Sequence, residues 1–64
     1  MMEKGEIWKL GESGIYRVVG DYSEVATPLD YDLENIQNEN DTLTISKQQA
    51  EPNINNGKWQ KVNL

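Results

Sequence analysis

The sequence predicts an all-β domain: one small antiparallel sheet of about five strands, rolled or closed into a barrel, with at most a short helical turn. Three observations predict it. Short runs of alternating apolar and polar residues recur along the chain, glycine-bearing turns separate the first of them, and a chain of 64 residues has no second layer with which to hide sheet edges.

The first run is Glu6 to Leu10 (EIWKL), and the GESG that follows supplies two glycines for a tight turn into Ile15 to Val19 (IYRVV), dense in β-branched and aromatic residues. Gly20 and Asp21 form a second turn. Tyr22 to Thr27 (YSEVAT) returns as a third strand, which Pro28 ends by removing a backbone donor.

Leu29 to Gln37 carries two patterns at once. Leu29, Tyr31 and Leu33 alternate as in a strand, while Leu29, Leu33 and Ile36 fall at i, i+4 and i+7 behind a Thr27 N-cap and Pro28 at the first helical position. Acidic Asp30 would sit near the positive helix end, and the reading leans to one or two helical turns. Asn38 to Asp41 (NEND) reads as a turn. Thr42 to Lys47 (TLTISK) alternates cleanly, with Leu43 and Ile45 inward. Gln48 to Gly57, with a proline, a glycine and three asparagines, reads as a loop that delivers Lys58 to Leu64 as the closing strand.

Ile15, Val18 or Val19, Leu43, Ile45 and Val62 are then expected to share one apolar core, since burying each gains only about 1.5 to 3 kcal/mol. An SH3-like barrel is the specific expectation. Its competitor is an open meander completed by self-association.

Composition excludes most small-domain chemistry. The chain has no cysteine and no histidine, which removes disulfides, thiolate nucleophiles, cysteine zinc sites and the commonest acid/base and metal-ligating side chain. Mean hydropathy is −0.79, low for a globular domain, yet two tryptophans, three tyrosines and several aliphatic clusters argue for a folded core. Glu3, Lys4, Glu6 and Lys9 interrupt the apolar run a secretory leader needs, and no window approaches the ~20 apolar residues of a membrane span, so a cytoplasmic protein is expected. Seven asparagines alongside Lys, Ile and Glu suggest an AT-rich bacterial or phage gene.

Charge is segregated. No basic residue falls between Arg17 and Lys47, whereas Asp21, Glu24, Asp30, Asp32, Glu34, Glu39 and Asp41 place seven negative charges there, within a net charge of −5. Such a field repels phosphates and anionic lipid and attracts cationic partners. An acidic run on a small domain also simply confers solubility. Asp30, Asp32, Glu34 and Asp41 imitate part of a calcium loop. Asn35 nevertheless stands where that loop requires glycine, and Asp41 where it requires a bidentate glutamate, so no metal site is expected. The serines have no histidine to activate them, and no glycine-rich phosphate cradle is present, so neither an enzyme nor a cofactor is expected.

All five aromatic residues, Trp8, Tyr16, Tyr22, Tyr31 and Trp59, carry a polar atom. Trp8 and Trp59 lie near opposite chain ends, where adjacent first and last strands would bring them together as a core or rim pair. GEIWKLGESGIYRVV (Gly5 to Val19) with GKWQKV (Gly57 to Val62) resembles the small carbohydrate-binding modules of chitinases and phage tail proteins. That resemblance implies stacking of a sugar on Tyr16 and Trp59; the acidic stretch from Asp21 to Asp41 has no counterpart in it. The opening KGEIWKL also resembles the first strand of the endoribonuclease toxins of toxin/antitoxin pairs, which are SH3-like barrels. This chain is shorter than that fold and lacks its basic RNA surface.

Two functions follow as expectations. The first is a non-catalytic module that binds a basic protein surface through Asp21, Tyr22, Glu24, Asp30, Tyr31, Asp32, Glu34, Glu39 and Asp41, the two tyrosines serving as interface anchors. In one version the carboxylates mimic nucleic-acid phosphates; direct binding of nucleic acid or membrane is not expected. The second is a carbohydrate-binding or phage-particle structural module.

Overall fold

The computed structural model describes residues 2–20 and 30–63. Five antiparallel strands form one sheet: β1 (Ile7–Leu10), β2 (Ile15–Gly20), β3 (Asp30–Asn35), β4 (Asn38–Ser46) and β5 (Trp59–Val62), with one helix, α1 (Lys47–Asn55), between the last two. Their order across the sheet is β4-β3-β2-β1-β5. The strands at the two edges do not pair with each other, so the sheet is open and the expected barrel closure is not found.

The β1–β2 hairpin forms as its sequence predicts. Trp8 stands opposite Tyr16, and the turn closes through Leu10 N–H to the Gly14 carbonyl (2.9 Å), with Gly11 and Gly14 at φ +59° and +131°. At the other end of β1, both Gly5 and Val18 N–H groups enter the ladder: Gly5 donates to the Val18 carbonyl (2.7 Å) and Val18 to the Glu6 carbonyl (2.8 Å). Gly5 and Glu6 thus oppose one residue in a bulge that requires the φ of +93° found at Gly5. The bulge turns the chain so that Met2 tucks into the core, 1% exposed.

Three sequence readings are corrected. Residues 30–35 of the ambiguous stretch are strand β3, not helix, because β2 and β4 offer ladders on both sides and Tyr31 and Leu33 alternate into the core. The expected turn at Asn38 to Asp41 belongs to β4; the chain reverses at Ile36 and Gln37, where Gln37 N–H donates to Asn35 Oδ1 (2.8 Å). The register passes from Glu34 opposite Thr42 to Asn35 opposite Asn38, so Glu39, Asn40 and Asp41 are extra residues on β4. The expected loop from Gln48 to Gly57 is largely α1. Ser46 caps the helix by accepting from Gln49 N–H (3.1 Å), Ala50 is fully buried and Ile54, one turn later, packs against the core. Pro52 sits inside the helix, and the helix ends where Asn56 N–H donates to the Pro52 carbonyl (3.0 Å) before Gly57 at φ +81°. The expected strand Tyr22 to Thr27 and turn residue Asp21 lie outside the described residues, as do Leu29 and the last residue of the expected closing strand.

The core occupies one face of the sheet: Met2, Trp8, Leu10, Tyr16, Val18, Tyr31, Leu33 and Ala50, with Ile45, Ile54 and Trp59 packed around it. Of the aliphatic residues expected there, Val18 and Ile45 take part. Leu43 lies on the core face opposite Leu33 but at the sheet edge, 37% exposed. Ile15, Val19 and Val62 alternate to the other face, where Val19 is 39% exposed. Because β1 and β5 are neighbours, Trp8 and Trp59 do come onto one face of adjacent strands, Trp59 opposite Leu10.

Candidate functional site

Alternation along β3 sorts its side chains. Tyr31 and Leu33 are buried, so Asp30, Asp32 and Glu34 project together from the outer face, successive carboxylates about 6.7 Å apart along the strand. On neighbouring β4 their cross-strand partners are Ser46, Thr44 and Thr42. Thr44 Oγ1 donates to Asp32 Oδ1 at 2.7 Å, fixing the central carboxylate against the sheet. The resulting patch is acidic and hydroxyl-rich and continues into a shallow groove lined by Val19, Asp32, Thr42, Leu43 and Thr44. On the β2 side, Arg17 stands opposite Glu34 and bounds the acidic field.

The other predicted acidic residues divide. Glu39 is exposed among the extra residues of β4. Asp41 is committed within the fold: its Oδ2 accepts from Tyr16 Oη (3.0 Å) and from Asn35 Nδ2 (3.1 Å), and the hydrogen bond from the tyrosine to this carboxylate holds the Tyr16 hydroxyl above its usual range. Asp21, Tyr22 and Glu24 lie outside the described residues.

Both aromatic assignments on described residues change. Tyr31 is fully buried, its hydroxyl donating to Glu51 Oε1 (3.4 Å) and accepting from Met2 N–H (3.3 Å), with Lys47 Nζ 5.1 Å from the ring centre. It is a core residue rather than an interface anchor. Tyr16, 5% exposed, is likewise core and offers no ring face for a sugar; Trp59 is half-buried against the same core.

A pattern not anticipated from sequence accounts for three acidic residues. Each buried aromatic polar atom meets a carboxylate: Trp8 Nε1 to Glu6 Oε1 (3.1 Å), Tyr16 to Asp41 and Tyr31 to Glu51. Burial of a ring with a polar atom demands such a partner, and no buried side-chain polar atom among the described residues lacks one. Glu6 is the most elaborated. It also accepts from Glu3 N–H (2.8 Å) and pairs with Lys61 Nζ at 2.9 Å. Partial burial works to raise its pKa, but the hydrogen bonds from Lys61, Glu3 and Trp8 outweigh it and hold the carboxyl below its ordinary value of 4.5; the same pair raises Lys61.

Among the described residues no three acidic side chains converge as a metal-binding group, and no helix is long and apolar enough to cross a membrane. No family model, curated protein or solved structure matches the chain.

Proposed function

We propose that the protein is a non-catalytic interaction module that engages the basic surface of a protein partner through the outer face of β3 and β4. The observation that carries this reading is the co-facial row of Asp30, Asp32 and Glu34, held on the sheet face opposite the core and extended by the hydroxyls of Thr42, Thr44 and Ser46. Three carboxylates at strand spacing suit lysine and arginine side chains on a partner, and the hydroxyls add hydrogen-bonding capacity at the rim. Exposed Glu39 extends the negative field toward one end of the patch.

The carbohydrate reading has less support from the geometry. Its two aromatic positions do not form a platform, since Tyr16 is buried and Trp59 packs its ring against the core.

The test compares proteins retained from a bacterial lysate by the wild-type chain and by a variant with Asp30, Asp32 and Glu34 all changed to lysine, at low and high salt. The reading expects a partner captured by the wild type at low salt, weakened at high salt and absent with the reversed face. A partner retained equally by both proteins would place recognition elsewhere.

A further inference from the structure

The register reveals which backbone groups β4 turns away from the sheet. Ile36 N–H donates to the Ile15 carbonyl (3.1 Å) in the same register that sets Tyr16 opposite Asn35. Even-numbered residues of β3 therefore direct their N–H and C=O to β2, and odd-numbered residues direct theirs to β4. Tyr31 and Leu33 stand opposite Ile45 and Leu43, so those two residues bond inward, while Thr42 and Thr44 present their N–H and C=O groups at the open edge and Ser46, whose carbonyl opens α1, presents its N–H there. No proline, lysine or arginine occurs within β4, and among the described residues no strand pairs with this edge.

We propose that this edge pairs with the same edge of a second copy, antiparallel and centred on Thr44, so that five strands from each copy form one continuous sheet. In that register Thr44 faces Thr44 of the second copy, exchanging two backbone bonds, and Thr42 faces Ser46, whose N–H meets the Thr42 carbonyl. Between them Leu43 faces Ile45 of the second copy as a close, non-hydrogen-bonded pair on the core face, covering the exposed Leu43. Centring the pair on Leu43 instead would set Asp41 against Ile45 and leave Ser46 without a regular partner. Backbone bonding and apolar contact thus select the same register.

Sedimentation equilibrium of the wild-type chain over a wide concentration range is expected to show a monomer–dimer equilibrium with no larger species. Thr44→Pro removes an N–H that no bond among the described residues uses, and Leu43→Lys places a cation opposite Ile45; each is expected to abolish the dimer while circular dichroism stays β-rich. A third readout survives even if both variants unfold. In a chain without cysteine, Thr44→Cys would stand opposite itself with Cα atoms about 5.5 Å apart, within disulfide reach, and should oxidise to a covalent dimer much faster than Gln60→Cys on β5. A wild-type chain that stays monomeric, or that forms open-ended polymers, overturns the proposal. So does a dimer that persists in folded Thr44→Pro and Leu43→Lys, or equal oxidation rates for the two cysteine variants.

Discussion

The two edges of this sheet are finished in opposite ways. β5 is four residues long, carries Lys61 and follows Lys58, and seats Trp59 against the core while Lys61 is tied to Glu6. β4 is nine residues long, contains no basic residue and leaves its apolar Leu43 37% exposed. Short, lysine-bearing edges resist pairing with other chains, whereas an edge ending in an uncharged stretch such as Thr42 to Ser46 invites it. The comparison teaches that one edge serves the monomer's stability and the other is available for association, although both bound the same core and both touch α1.

The sharpest way to break this comparison is to truncate the apolar core-face residue at each edge. Trp59→Ala is expected to cost about 2 to 3 kcal/mol, below the ~3 to 5 of a fully buried tryptophan because the ring is half-buried. Leu43→Ala should cost less than about 1 kcal/mol in the monomer. Denaturant melts at dilute concentration measure both, and equal losses would erase the distinction between the edges.

Asp41 tests whether the far end of β4 is itself tied to the fold. Asp41→Ala removes the acceptor of both Tyr16 and Asn35 and is expected to destabilise by about 1 to 2 kcal/mol, since the Tyr16 hydroxyl is left without its charged partner. Loss of the anchor should also return the Tyr16 hydroxyl toward its ordinary titration range, which ultraviolet titration follows.

On the β5 side the corresponding anchor is Glu6, and its signature is pH-dependent. Its pKa is lower in the folded chain than the ordinary value of 4.5, so the unfolded state takes up the proton first as pH falls. The stability it contributes is present above about pH 4.5 and is lost as pH drops through the folded-state value. Melts from neutral pH to about pH 3 should show this loss in the wild type and a shallower loss in Glu6→Gln. Identical profiles would mean that the Glu6–Lys61 pair does not defend this edge.

The smallest stability effect is expected from the acidic face. Changing Asp30, Asp32 and Glu34 together to lysine should leave the melt within about 1 kcal/mol, because these half-buried carboxylates lie on the outer face where water still screens them, although the Thr44 bond to Asp32 is lost. Failure to fold would make these carboxylates structural and remove the proposed partner surface.

The sequence by itself determined the β1–β2 hairpin and the strand character of Thr42 to Ser46, whereas the one-sided row of Asp30, Asp32 and Glu34 waited on the pairing of β3. The first two follow from local information: a period of two, β-branched residues, and glycines where the turn needs positive φ. The tertiary structure decided what local pattern left balanced. Tyr31 and Leu33 fit helix or strand until β2 and β4 supplied hydrogen-bonding partners on both sides. Gln48 to Gly57 looked like a loop because Pro52 and the asparagines weigh against a helix; the signal for one was present in the Ser46 to Gln49 cap and the Ala50 to Ile54 spacing, but it prevails only because those two apolar residues find the core. The assignment of Glu6, Asp41 and Glu51 to the aromatic donors was likewise invisible, since those bonds span from 2 to 25 positions of chain and arise only where burial leaves an indole or phenol without water. Which edge was finished and which left open was decided last, by which side chains the core had already claimed: Trp59 on β5 packs against it, while Leu43 on β4 stays exposed.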